Sequence, residues 1–239
     1  TSGSISTGVV NAATLSVSHQ GTTASGGIDL GSTSVQNLSI SASQARDVTN
    51  DNGVVSAQGT ANSTTTIDVK GGNVTLTNTN NDFEIVKVTS ANHVAITDLN
   101  GIRIGNSAIA GDFTLTTRGP MANFGGGSDE KVTVAGHTTL NAQSGGFGTT
   151  APDISFTNGS NDFNTLRVVS GATTDIRDSN GFTLNGGAST STGGMNLQAA
   201  TGNIAINSNV TTGGALSVTA NNSVAGGGIS VADGVVLDV

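Results

Sequence analysis

The residue types able to do chemistry are few in this chain, and their spacing limits what they could do. Asp175 and Asp178, with Arg177 between them, are its best local cluster for carboxylate chemistry. Carboxylates beside a cation are what a glycoside-cleaving site needs, one to protonate the leaving oxygen and one to activate water or attack the sugar. On a strand, positions 175 and 177 share a face, while 178 falls to the turn that follows. The matching positions of an earlier segment are Ala95, Thr97 and Asp98, so only the last aspartate recurs. Recurrence without its neighbours assigns Asp178 to a turn. With no Trp or Tyr to stack on a sugar ring, the chain is expected not to be an enzyme, and no catalytic or cofactor-binding residue is assigned.

His19, His93 and His137 lie in unrelated contexts, and Thr173 replaces His93 in the later segment. They read as surface or corner side chains rather than as metal ligands or bases. Gly-x-Ser-x-Gly, the local setting of a nucleophilic serine, is absent. Asp82 and Asp162 sit among asparagine carbonyls, a setting able to hold Ca²⁺. The Gly-Gly-x-Gly-x-Asp nonapeptide of calcium-binding repeats is missing, so these read as self-contained Asx turns with no metal.

Composition narrows the partners. Fourteen of the 16 acidic residues are Asp, scattered from Asp29 to Asp238, and the net charge of −8 favours solubility without naming a ligand. Three Lys and five Arg form no basic stripe, which argues against nucleic acid. No stretch approaches the ~20 apolar residues that span a bilayer. Cysteine is absent, so neither a disulfide framework nor a thiolate metal site is available.

What must position these residues is a repeat. Residues 74–108 align with 154–188 at a constant offset of 80, with twelve identities including Asn78/Asn158, Asn81/Asn161, Asp82/Asp162, Phe83/Phe163, Ile96/Ile176, Asp98/Asp178 and Gly101/Gly181. A finer step of 19–22 residues separates apolar pairs at i and i+2: Val74/Leu76, Val94/Ile96, Phe113/Leu115, Val132/Val134 and Ile154/Phe156. That spacing puts one face of a strand inward, the β-branched runs suit strands, and Gly or Asn interrupts any helical window. Short strands recurring at this step match the coils of a solenoid, each buried on the last. The fold is therefore expected to be all-β, a parallel β-helix (β-solenoid) with coils of about 20 residues. It is read as one elongated unit over 1–239, with a weaker repeat over 1–53 and clear units over about 54–133 and 134–239.

Finer expectations follow. Leu76, Ile96, Leu115, Val134, Phe156, Ile176, Leu197 and Val218 should form one inward ladder. Phe83 and Val86 need inward positions of opposite parity, so a bend lies between 83 and 86. Asp98–Gly101 and Asp178–Gly181 read as turns, with Asp bonding the backbone two residues on and Asn-Gly tolerating positive φ.

The T-N-x-x-N-D-F stretches (Thr77–Phe83 and Thr157–Phe163), V-x-V-x-S at Val86–Ser90, I-x-D-x-N-G at Ile96–Gly101 and Ile176–Gly181, and Gly213–Ala220 resemble the shaft repeats of filamentous haemagglutinin-type exoproteins. The resemblance covers most of the chain beyond about residue 54. It implies a right-handed β-helix from a large bacterial surface or secreted protein, hence extracellular localisation and a shaft or filament role in adhesion or biofilm matrix. A glycan- or host-protein-binding adhesive module is the alternative, with a polysaccharide-active enzyme third. The export domain's Asn-Pro-Asn motif is absent, so this would be shaft. Alternation persists to Val235/Leu237 with little charge to cap it, so the expected partners are flanking repeats or head-to-tail copies.

Overall fold

The computed structural model describes residues 3–22, 25–51, 53–59, 62–125, 127, 130–144, 150–221 and 227–239. These residues form short strands and no helix, stacked as a right-handed parallel β-solenoid with coils of about 20–22 residues. The strands alternate as the pattern requires: Ile28–Leu30 and Val94–Asp98 each bury every second residue. Stacking puts like residues over like. One uninterrupted ladder runs Ile5, Ile28, Val48, Val74, Val94, Phe113, Thr138, Leu166, Leu184, Ile206, Val231. Adjacent rungs in such a stack are ~4.8 Å apart, so the core is a narrow tube filled one coil at a time.

The cross-section is not constant along the axis. The first coils have three facets. Facet I holds the ladder just described. Facet II stacks Thr33 on Val55 and Val35 on Ala57 and Phe83. Facet III stacks Val17, Ile40, Ile67 and Val88. Facet II then stops: strand Asp82–Phe83 has no strand above it. In the same coil Ile85–Ser90 of facet III divides its load. Its first half pairs with Ile102–Ile104, and its second half supports Ser107–Ile109, with Ala91 bridging Ile109. Three facets are thereby restored. The same exchange recurs at the next unit. The new facet Ile109, Val134, Phe163 ends at Phe163. Strand Asp162–Ser170 of facet I then divides under Phe182–Leu184 and Ser189–Ser191.

This exchange corrects the expected single ladder. Leu76, Ile96 and Leu115 do stack, but the next rung is Leu140. Phe156, Ile176, Leu197 and Val218 form a ladder on another facet, and Val134 lies between Ile109 and Phe163. The even 19–22 residue spacing misled because strand Val132–Ala142 covers two facets at once. True stacking steps vary from 18 residues (Leu166 to Leu184) to 33 (Met121 to Ile154). The bend is where parity demanded it: Phe83, Ile85 and Val86 are all buried while Glu84 points outward. Of the two Asn-Gly turns, only Gly181 has positive φ (103°). At Gly101 the constraint is close approach instead, since a Cβ would lie 2.9 Å from the Pro120 carbonyl oxygen.

Among the threonines that interrupt the apolar ladders, two carry orphaned hydroxyls. Thr138 sits between Phe113 and Leu166, Thr65 between Leu38 and Val86, and neither buried hydroxyl has a hydrogen-bond partner. Removing an orphaned hydroxyl recovers its desolvation cost, so Thr138→Val is expected to stabilise the chain by about 1 kcal/mol in denaturant titrations. Ile96→Ala, by contrast, opens a cavity between Leu76 and Leu115 and is expected to cost roughly 2–5 kcal/mol. A neutral Ile96→Ala would contradict the packing of this ladder.

Candidate functional site

The residues that recur with the repeat converge on the coil corner where a facet ends. Asn78 opens the corner as an Asx turn, its Oδ1 accepting the Asn80 amide at 3.0 Å, while its Nδ2 donates to the Gly53 carbonyl at 2.9 Å. Asn158 does the same for Ser160 and Gly127 at 2.9 and 2.8 Å. Asn81 is fully buried. Its Oδ1 accepts the Val55 amide at 2.9 Å and Asn50 Nδ2 at 2.7 Å, and its Nδ2 donates to Leu76 at 3.1 Å. Asn161 repeats the arrangement with Val132, Asn123 and Phe156. Each buried amide therefore joins its own turn to strands of other coils, and satisfies the polar groups that a corner inside the core would orphan.

The aspartate of I-x-D-x-N-G completes the corner from the following coil. Asp98 is the last residue of its strand, and inward parity continues through Val94, Ile96 and Asp98. Its carboxylate accepts the Phe83 amide at 2.7 Å and the Asn100 amide at 3.0 Å. Phe83 is the last rung of its facet, so Asp98 supplies the acceptor that a further strand would have offered. Asp178 caps Phe163 identically at 2.7 Å and also accepts the amides of Asn180 (2.9 Å) and Gly181 (2.6 Å). Both carboxyls are fully buried. Burial pushes Asp98 up to about 7 from the usual range, against the opposing backbone bonds. Asp178 reaches about 6 for the same reason, with one more backbone donor holding it lower. The bond two residues on was legible in the sequence. The turn reading misses the inward side chain, which the i, i+2 spacing from Ile96 and Ile176 signals.

The other chemical candidates do not come together. Asp175 and Arg177 lie on the outer face of the strand that turns Asp178 inward, and Asp175 accepts Asn196 Nδ2 at 3.0 Å. Asp82 accepts Asn100 Nδ2 at 2.9 Å on Oδ1 and Gln58 Nε2 on Oδ2, so both oxygens are engaged by side-chain amides. Asp162 accepts Asn180 Nδ2 at 3.2 Å. Among the described residues no three His, Asp or Glu side chains group as a metal site would. His19 lies in a corner, but a buried one. Its Nδ1 faces the Gly21 amide at 3.2 Å and Arg46 Nε at 3.4 Å, so Nε2 carries the proton toward the Gly3 carbonyl at 2.7 Å. His93 accepts the Asp112 amide at 2.9 Å, and His137 meets Thr165 Oγ1 at 2.8 Å.

One outward cluster is not repeated. The Phe124 ring, half-buried, carries Lys87 Nζ 5.2 Å and the Arg103 guanidinium 5.1 Å from its centre. Glu130 pairs with Lys87 at 2.9 Å and Glu84 with Arg103 at 2.6 Å. The second unit has Asn164 and Thr183 in place of Glu84 and Arg103, so the scaffold does not require this group.

A family model described as repeats of unknown function (DUF5649) matches residues 18–90 and 91–170. These segments differ in phase from the units 54–133 and 134–239. They end at Ser90 and Ser170, the last residues of the two strands that divide their load. Each matched segment thus contains one facet exchange. No curated protein and no solved structure matches the chain.

Two outcomes test the corner. Asp98→Ala leaves the Phe83 amide buried without an acceptor and is expected to cost ~1–3 kcal/mol. The pH dependence has a defined sign. A carboxyl whose folded pKa lies above its unfolded value of 3.8 stabilises fully below that value, and the contribution is lost as pH rises through about 7 for Asp98 and about 6 for Asp178. Unfolding free energy should therefore fall by on the order of a few kcal/mol between pH 4 and pH 8, and the fall should shrink in Asp98→Asn. An unchanged pH profile in that variant would contradict the assignment.

Proposed function

The chain belongs to the DUF5649 family of repeats, and from that premise we propose that it is a structural shaft or filament segment of an extracellular, adhesin-like bacterial protein. The observation that carries this reading is where the recurring polar residues go. Asn81, Asp98, Asn161 and Asp178 are all buried and turned onto the coils around them. A unit that commits its buried recurring polar side chains to its own stack delivers length and rigidity, and the eleven-rung ladder corresponds to a rod core of ~50 Å. Catalysis is no part of this proposal. The extracellular and adhesin elements rest on the resemblance of the Thr77–Phe83 and Ile96–Gly101 motifs to haemagglutinin-type shafts.

The partners proposed are flanking repeats or stacked copies. Strands of a parallel stack pair with the coils on either side of them, and that architecture supports the addition of further coils. No helix among the described residues is long and apolar enough to cross a membrane. A second reading, the adhesive module, is favoured by the Phe124, Lys87 and Arg103 cluster, because aromatic and guanidinium groups are enriched where surfaces bind.

Immunogold labelling of the producing cells tests the main reading: label is expected on extracellular fibres, and label confined to the cytoplasm would overturn it. Screening the purified chain against glycans and host proteins separates the two readings. Saturable binding that Phe124→Ala abolishes would replace the shaft by the adhesive module.

A further inference from the structure

Asn100-Gly101 and Asn180-Gly181 occupy the same turn of successive units, yet the glycine amides have different partners. Gly181 N donates to the buried Asp178 carboxylate at 2.6 Å. Gly101 N instead lies 2.6 Å from Oδ1 of its own neighbour, Asn100. In both turns the asparagine Nδ2 is held by an aspartate of the preceding coil, Asp82 at 2.9 Å and Asp162 at 3.2 Å. That hold fixes the side chain, and at Asn100 alone it leaves the side-chain carbonyl folded onto the next backbone nitrogen. The turn also opens on a notch of about 330 Å³, lined by Asn100, Gly101, Asp82 and Glu84 at the step where facet II ends. Water can therefore reach the group.

We propose that Asn100 is a self-modification site at which the chain deamidates through a succinimide. Gly101 N loses its proton to solvent base and attacks Cγ of Asn100, forming a C–N bond. The adduct takes a proton on Nδ2, and the Cγ–Nδ2 bond breaks to release ammonia. Water then adds to either ring carbonyl, which leaves aspartate or isoaspartate at 100. One water is consumed, one ammonia leaves, and no oxidant or cofactor takes part. Holding nucleophile and electrophile together removes most of the entropic barrier to ring closure. At Asn180 the same reaction must first break the bond from Gly181 to Asp178. Asn158-Gly159 is locked differently, with Asn158 4% exposed and bonded to Gly127.

The product has a consequence for the rod. A carboxylate at 100 replaces the Nδ2 donor that faces Asp82, beside the buried Asp98 cap. Like charges then meet at the corner that ends facet II, so an aged chain is loosened at one defined coil.

The test uses the intact chain, incubated at mildly alkaline pH in isotopically heavy water, digested with pepsin at acid pH and mapped by mass spectrometry. Asn100 is expected to convert roughly ten-fold faster than Asn180, with isoaspartate among the products. Equal rates, or a faster Asn180, would overturn the proposal. In concentrated denaturant the ratio should collapse toward one. A ratio that survives unfolding would assign the difference to local sequence and sink the structural account. Asn100→Asp is expected to melt below the parent chain, and an unchanged melting temperature would remove the proposed consequence.

Discussion

Every strand of this rod must find its backbone partners in the coil before it and the coil after it. That obligation shapes the rest of the molecule. A parallel stack with short facets has no hairpins through which a strand could pair locally, so each N–H and C=O that points along the axis depends on continuity of the stack. Where continuity holds, the side chains need only alternate inward and outward. The ladder from Ile5 to Val231 shows how little else is needed: it tolerates Val, Ile, Leu, Phe and even Thr138 at successive rungs. Where continuity fails, backbone groups lie buried without a strand above them, and the chain places its most specific chemistry there.

Asp98 and Asp178 answer that failure. Each reaches back from the next coil to accept the last inward amide of a facet, Phe83 or Phe163. Carboxyls are costly to bury, so two in equivalent interior positions mark a need that apolar packing could not meet. The aromatic residue at the end of the facet fits the same logic. Phe163 packs edge-to-face on Phe156, ring centres 6.0 Å apart, and fills the width that the vanished facet leaves. The carboxyl bonds the amide and the ring fills the space.

Facet exchange also sets how surface features are distributed. Phe83 ends facet II, whereas its equivalent Phe163 ends a facet that arose from facet III. Equivalent residues of successive units consequently face different sides of the rod. Lys87 and Arg167 share a sequence position, but one sits above strand Thr64–Asp68 of facet III and the other above Thr139 of facet I. An outward feature carried once per unit is displayed around the solenoid rather than along one edge.

The class of fold, the outward and inward sense of most strand residues, and the corners are written in local pattern. Alternation at Val94/Ile96 or Ile154/Phe156 is a property of two-residue periodicity, and recurrence at a near-constant step is a property of stacking, so both are legible in one chain. The bend before Val86 was legible as well, because Phe83 and Val86 cannot share a parity on one straight strand. Which rung sits on which is set by the stacking of the coils. Val134 has the same local pattern as Leu140, and nothing local reports that strand Val132–Ala142 turns a corner and serves two facets. The burial of Asp98 lay between these cases. Its parity with Ile96 points inward, but the reason a carboxyl belongs there is an amide fifteen residues earlier that has lost its next strand. That loss exists only once the coils are stacked.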